Sequence, residues 1–219
     1  MRGLAFFSGG KDSVFAVMKA RQNGVPVDYL LFNTHDFPEP NVHQINRRLV
    51  EEIARLIGIP LQVLHLEVGR EYALLADLFS ELDVGVVTVG NINVEDQMEW
   101  YEKLCEETGA ALYAPLWAGP GGSSFLTLMG QLEAGLKAMI CSIMKSALPA
   151  RLLGRVIDYA LAKDLLSLID PCGEGGEYHT LVLDAPIMSG RLLIDEFSPK
   201  ESKDRLMLTV ERYRVEDKK

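Results

Sequence analysis

The stretch that decides the fold is Leu4-Ala5-Phe6-Phe7-Ser8-Gly9-Gly10-Lys11-Asp12-Ser13, a short apolar run that breaks into a glycine turn and continues as a helix. Glycines at such a junction let backbone N–H groups approach an anion. The helix amino end adds partial positive charge, and Lys11 adds a full one. Ser8 and Ser13 contribute hydroxyl donors, so Ser8–Ser13 is expected to cradle phosphate. As a loop side chain, Lys11 is expected to be exposed. The string is not a Walker A loop: Ala5 stands five residues before Gly10, and Asp12 stands where Ser or Thr would hold magnesium. An aspartate beside a polyphosphate is repelled unless a cation lies between them, which makes Asp12 a candidate Mg2+ contact.

Working outward, the chain alternates strands and helices. Leu4–Phe7 is the first strand, and Asp12–Asn23 the first helix, with Val14, Phe15, Val17 and Met18 inward and Gly24 as its stop. Val27–Asn33 and Leu61–Leu66 read as strands. Between them His43–Ile57 places Ile45, Leu49, Ile53, Leu56 and Ile57 on one helical stripe. Arg70–Leu82 and Glu95–Thr108 are helical. Val84–Val89 has the β-branched density of a strand covered on both faces, and Ala111–Leu116 is a last short strand. This alternation implies a parallel sheet with right-handed crossovers. The expected fold is therefore α/β: a doubly wound, Rossmann-like parallel sheet over residues 1–117, followed by a smaller C-terminal α/β domain over 118–219. In the second part a helix from Ser123 or Ser124 to Ala134, a strand at Lys137–Met144, a helical stretch from Pro149 to Ile169 and an apolar run Leu181–Leu183 are predicted. Leu192–Phe197 and Arg205–Val215 should form an antiparallel pair.

Composition narrows the function classes. The 219 residues carry 22 Lys and Arg against 31 Asp and Glu, a net charge of −9. That balance argues against nonspecific nucleic-acid binding, which needs clustered cations. Hydrophobic residues are 48% and charged residues 24%, as in globular domains, so disorder is excluded as the main state. Cys105, Cys141 and Cys172 form no CxxC pair, which leaves no sign of a zinc or dithiol site and suits buried, inert thiols. No apolar run approaches the ~18 residues of a membrane span. Met1-Arg2-Gly3 leads straight into the first strand, with no room for a signal peptide. A cytoplasmic protein without membrane attachment is expected.

A second motif is Gly173-Glu174-Gly175-Gly176-Glu177-Tyr178-His179-Thr180. Two carboxylates on glycine-rich backbone are costly to bury without partners, yet the segment runs directly into Leu181-Val182-Leu183, which tethers it to the fold. Glu174 and Glu177 could bind an ammonium or a quaternary amine, or act as a general base.

The first string resembles the PP-loop signature of the N-type ATP pyrophosphatases. That resemblance implies binding of the β,γ-phosphates of ATP and cleavage between α and β. With GEGGEYHTLVLDAP the resemblance narrows, because this segment is similar to the EGGE signature of the diphthine–ammonia ligases of diphthamide synthesis. Leu153-Gly154-Arg155-Val156-Ile157-Asp158 resembles that family's LGR-x-ID segment, Ala114-Pro115-Leu116-Trp117 its APLW, and Val89-Gly90 with Glu95-Asp96-Gln97 its strand-then-Tyr-Gln segment. The chain departs from the pattern at Asp96, where the family usually has Tyr. It departs also at His179, where an acid or small polar residue is expected, and in the loop Thr34–Asn41, where Asn41 and His43 could stand in for a family His/Asn pair.

The resemblance implies an active site in a cleft between two domains. ATP would lie with its polyphosphate on Ser8, Gly9, Gly10, Lys11, Asp12 and Ser13 and its adenine against Phe32 and Asn33, with Mg2+ at Asp12. Gln97, Glu174, Glu177 and His179 are the candidate catalytic or substrate-binding residues. By resemblance the acceptor is elongation factor 2, activated as an adenylate and amidated. No cysteine stands at a mature amino terminus or on a strand–helix elbow, so free ammonium is the expected nitrogen source. Two other readings stay open, a PP-loop tRNA-modifying enzyme and a nonenzymatic nucleotide-binding module, and so does assembly into a homodimer.

Overall fold

The computed structural model describes residues 1–36 and 41–218. Residues 37–40 of the loop Thr34–Asn41 therefore lie outside the described residues. The chain divides into two compact units, and these do not follow its linear order. Unit 1 comprises residues 1–8, 12–38 and 59–122, and unit 2 comprises 9–11, 39–58 and 123–219.

Unit 1 holds a five-stranded parallel sheet built from β1 (Arg2–Phe6), β2 (Tyr29–His35), β3 (Leu61–Leu66), β4 (Val84–Thr88) and β5 (Ala111–Tyr113), in the order β3-β2-β1-β4-β5. This is the doubly wound sheet read from the sequence. Strand side chains alternate faces. One face, carrying Leu4, Leu31, Val87 and Val89, is closed by Leu75 and Phe79 of α4 (Glu71–Leu82) and Leu104 and Cys105 of α5 (Glu95–Thr108). Phe6 of β1, Tyr72 of α4 and Trp100 and Tyr101 of α5 pack as an aromatic cluster beside that core. Residues of the opposite face, Ala5, Leu30 and Phe32, are equally buried, as are Val14, Phe15, Val17 and Met18 of α1 (Lys11–Gln22). The strand expected over Ala111–Leu116 ends at Tyr113.

Unit 2 holds an antiparallel sheet in the order β7-β6-β9-β8, from β6 (Lys137–Met144), β7 (Tyr178–Asp184), β8 (Gly190–Glu201) and β9 (Arg205–Asp217). The predicted terminal strand pair is present and longer than expected. Cross-strand ion pairs join Arg191 to Glu216, Arg212 to Glu196 and Arg214 to Asp195 on this hairpin. β8 is an edge strand, contains Pro199, and loses register between Ile194 and Glu196.

Two expected helices are interrupted. The stripe at His43–Ile57 splits into α2 (Val42–Ile45) and α3 (Arg47–Ile57) at Asn46. Asn46 is buried, and its amide donates to the carbonyls of Val42 and Leu208 and accepts from the N–H of Val210. These bonds tie the helix break to β9. The helix expected from Pro149 to Ile169 is a single 3-10 turn at Ala150–Leu152, then an extended piece in which Val156 bridges Met139 of β6, and only then α7 (Tyr159–Leu166). Asp158 caps α7 by accepting from the N–H of Leu161. A helix at α6 (Ser124–Glu133) follows the predicted bounds.

Candidate active site

In an open parallel sheet, ligands bind beyond the carboxyl ends of the strands where strand order reverses. Here β1 lies between β2 on one side and β4 on the other, so the loops after β1 and β4 flank the switch point. The first is Phe7–Gly10 and the second begins at Gly90. They approach so closely that a Cβ at Gly90 would lie 2.9 Å from the carbonyl of Asp12, which only glycine permits. The Ser13 hydroxyl folds back to within 3.3 Å of both the N–H and the hydroxyl of Ser8, closing the turn on itself. Asn33 and Thr88 stand at the carboxyl ends of β2 and β4. Each holds a buried side-chain oxygen without a hydrogen-bond partner among the described residues. Phe32 is buried on the other face of β2 from Asn33, and Gln97 is exposed in the first turn of α5.

The middle of the glycine loop, Gly9–Lys11, belongs to unit 2. There it is bonded along β7: the N–H of Val182 donates to the Gly9 carbonyl (2.9 Å), and the N–H of Lys11 donates to the Thr180 hydroxyl (3.1 Å). The Lys11 ammonium donates to the carbonyl of Cys172 at 2.6 Å and lies 5.1 Å from the centre of the Tyr178 ring. The Tyr178 hydroxyl in turn donates to the carbonyl of Pro171 (2.6 Å). Lys11 is only 2% exposed, which corrects the expectation of an exposed loop lysine. Its burial is compatible with charge because a carbonyl oxygen and an aromatic face replace water.

The same contacts place the two sequence motifs together, since Cys172, Tyr178 and Thr180 bracket the acidic loop. The Asp170 carboxylate accepts from the N–H groups of Cys172 and Glu174 and from the Ser124 hydroxyl. Ser124, a candidate helix cap from sequence, uses its hydroxyl here instead. Gly173 turns the chain at φ +77°, where a Cβ would meet the Tyr178 ring at 2.9 Å. At the far end of the loop, the Arg205 guanidinium donates to the carbonyl of Gly176 (2.6 Å). Glu174 is partly exposed, and Glu177 keeps one buried carboxylate oxygen with no partner among the described residues. The His179 ring packs edge-on against that of His43, centroids 5.6 Å apart. Burial, followed by the charges of His43, Arg205 and Lys11, lowers the His179 pKa to about 3, so the ring is neutral at neutral pH.

The residues present fit a nucleotide. A glycine cradle shaped by backbone approach, hydroxyls at its mouth and unsatisfied buried oxygens on the flanking strands suit a polyphosphate and a base. Among the described residues no group of three or more His, Cys, Asp or Glu could hold a metal. Asp12, the candidate Mg2+ contact, lies in the first turn of α1. The cysteines are buried without disulfides, and burial raises the Cys105 thiol to about 11 and the Cys141 thiol further, as expected of inert thiols. Nothing in the local sequence singles out Arg205, in a plain strand, or Asp170. Tyr178 and Thr180 lie inside the second motif, beside its acids.

Known proteins resemble this chain over most of its length. The family model described as the diphthamide synthase N-terminal domain matches residues 1–112, and the diphthamide synthase C-terminal domain matches residues 125–215. A diphthine–ammonia ligase of Danio rerio is 28% identical, covering 89% of this chain and 87% of that protein. One of Mus musculus is 24% identical over 89% of this chain and 83% of that protein. A diphthine–ammonia ligase of Schizosaccharomyces pombe is 27% identical over 90% of this chain, which spans only 36% of the yeast protein. Among the described residues no helix is long and apolar enough to cross a membrane. Taken with the resemblance carried by the PP-loop and EGGE segments, these matches show that the chain is an enzyme of the diphthamide synthase family.

Proposed function

We propose that the chain is an ATP-dependent carboxylate–ammonia ligase, with a diphthine side chain on elongation factor 2 as acceptor and AMP and pyrophosphate as products. The observation that carries this reading is the bonding of Lys11 to the acidic loop, through its ammonium to Cys172 and its N–H to Thr180. A nucleotide-binding loop alone would not need to be fastened to a carboxylate-bearing loop from the far end of the chain.

An acceptor carboxylate oxygen attacks the α-phosphorus of ATP. The bond from that phosphorus to the α,β-bridging oxygen breaks, and pyrophosphate leaves with the electron pair. The lone pair of ammonia then attacks the acyl carbon, the carbon–oxygen bond to the phosphate breaks, AMP leaves, and the nitrogen gives up a proton to yield the amide. In-line displacement at phosphorus calls for positioning and charge neutralisation more than for a covalent protein group. The backbone of Ser8–Ser13 and the Lys11 ammonium serve the β- and γ-phosphates, Asp12 would hold a Mg2+ ion that would neutralise phosphate charge, and Phe32 and Asn33 border the adenine. Glu174, Glu177, Gln97 and His179 serve the acceptor and the ammonium. His179, held neutral and weakly basic by its burial, is suited to orient the nucleophile by a hydrogen bond, not to take its proton.

The test is product analysis with labelled ATP, ammonium and elongation factor 2 carrying the unamidated side chain. AMP and pyrophosphate should appear in step with the amide. ADP and phosphate as main products would overturn the assignment, and AMP formed only with tRNA would move it to the tRNA-modifying class.

A further inference from the structure

We propose that Asp170, which no motif includes, is a positioning residue for this reaction: its carboxylate holds the turn 170–174 in the shape that aims the Cys172 carbonyl at Lys11 and carries Glu174. The inference rests on the ligase reading for its kinetic part only.

Three successive N–H groups converge on this one residue. Those of Cys172 and Glu174 donate to one carboxylate oxygen at 3.0 and 3.1 Å, and that of Gly173 donates to the Asp170 main-chain carbonyl at 2.9 Å. The other carboxylate oxygen accepts the Ser124 hydroxyl at 2.6 Å. An aspartate that accepts from the N–H two residues on fixes a local turn, and ionised acceptors make the stronger bonds. With its N–H groups turned toward Asp170, the turn leaves its carbonyls to point elsewhere, and the Cys172 carbonyl is the one that receives the Lys11 ammonium. Pro171 and Cys172 are buried and Gly173 is at positive φ; the Tyr178 hydroxyl on the Pro171 carbonyl, the Cys172 thiol on the Ser124 carbonyl and the Gly176 N–H on the Gly173 carbonyl also brace the turn, while Asp170 is the residue on which its N–H groups converge. Asp170 therefore acts through two other groups, the Lys11 ammonium and the Glu174 backbone, without touching the nucleotide loop itself. If the turn loosens, the bond from the Lys11 ammonium to the Cys172 carbonyl loses its fixed geometry. Ground-state attraction for a triphosphate survives this better than the alignment needed in the transition state.

The experiment compares Asp170→Ala, Asp170→Asn and Ser124→Ala. In Asp170→Ala, kcat for amide formation per folded molecule should fall at least tenfold while the ATP Kd stays within threefold. Asp170→Asn keeps an oxygen for the Cys172 and Glu174 N–H groups and should remain within threefold of wild type, as should Ser124→Ala, which leaves those two bonds in place. Amide hydrogen exchange over 171–176, read in the same variants, should quicken at least tenfold in Asp170→Ala and little in Asp170→Asn. A lowered Tm with wild-type kcat in Asp170→Ala would make the residue merely structural, and equal loss in Asp170→Asn would assign the effect to charge instead of acceptor geometry. Unchanged exchange in Asp170→Ala would overturn the inference outright. A wild-type protein that forms no amide would count against the ligase reading, while the exchange measurement would still decide the role of Asp170.

Discussion

Lys11 shows how far a residue's role can lie from its neighbours in sequence. Its immediate setting, two glycines and an aspartate, reads as a phosphate loop. Its burial was not legible there, because the carbonyl and ring that enclose it belong to Cys172 and Tyr178, far along the chain. Lys11→Ala is accordingly expected to do two things. Turnover should be abolished and ATP binding weakened at least tenfold by calorimetry. The folded state should also lose about 1–3 kcal/mol, the usual scale for stranding a buried hydrogen-bond partner, so binding must be compared on protein shown to be folded. Glu174→Gln and Glu177→Gln should behave differently: ATP affinity within a few fold of wild type, and amide formation lowered by roughly 10²-fold, the scale of a lost acid–base group. Wild-type rates in both would make the loop structural. His179 gives a pH signature. Its pKa is lowered to about 3 in the fold from an ordinary 6.5, so below pH 6.5 the unfolded chain takes up a proton that the folded one refuses. Stability is then full above 6.5 and drains away as pH falls toward 3, at up to about 1.4 kcal/mol per pH unit. In His179→Asn, denaturant unfolding between pH 6.5 and 4.5 should show a shallower loss than wild type, and an unchanged slope would contradict the lowered pKa.

Elements were readable from sequence to the extent that their causes were local. The parallel strands, α4, α5, α6 and β6 follow from apolar periodicity and glycine stops, all within a few residues of where they act. The exceptions share a physical reason. His43–Ile57 carries an unbroken apolar stripe, and periodicity alone extends the helix through Asn46. What stops it is an amide committed to Leu208 and Val210 of β9. The stretch after Pro149 fails as a helix because Val156 is drawn into bridging contact with β6 and Asp158 then starts a new helix. Asn46→Ala should therefore cost more than its helix propensity would suggest. It strands buried main-chain groups on two elements, an expected loss of about 2–3 kcal/mol, which for a chain of this size lowers Tm by roughly 5–10 °C. A thermal melt checks it, and a change under 2 °C would show that the break is held by something else. The switch-point site followed from strand order, whereas the approach of the β4 loop to Asp12 could only be suggested by the bare presence of Gly90.

At the scale of the whole chain, the two compact units are interleaved: unit 2 borrows residues 9–11 and 39–58 from the amino-terminal half. A fragment spanning 123–219 would lack α2 and α3, which pack on β9 and β7, and also the strand-bonded segment Gly9–Lys11. Expressed alone, it should show neither the near-ultraviolet circular dichroism of a packed core nor a cooperative melt, whereas the intact chain should unfold in urea in a single transition. A fragment that melts cooperatively would refute this dependence. The long edge strand β8 has a consequence of its own. An open row of main-chain donors and acceptors invites another polypeptide to add itself to the sheet. Here that row is spoiled where Pro199 offers no N–H and where the register slips beside Asp195, whose charge is already held by Arg214. An edge of the kind that seeds fibres is thereby made a poor template for its own kind, and a copy of this chain arriving edge to edge would find little to grip.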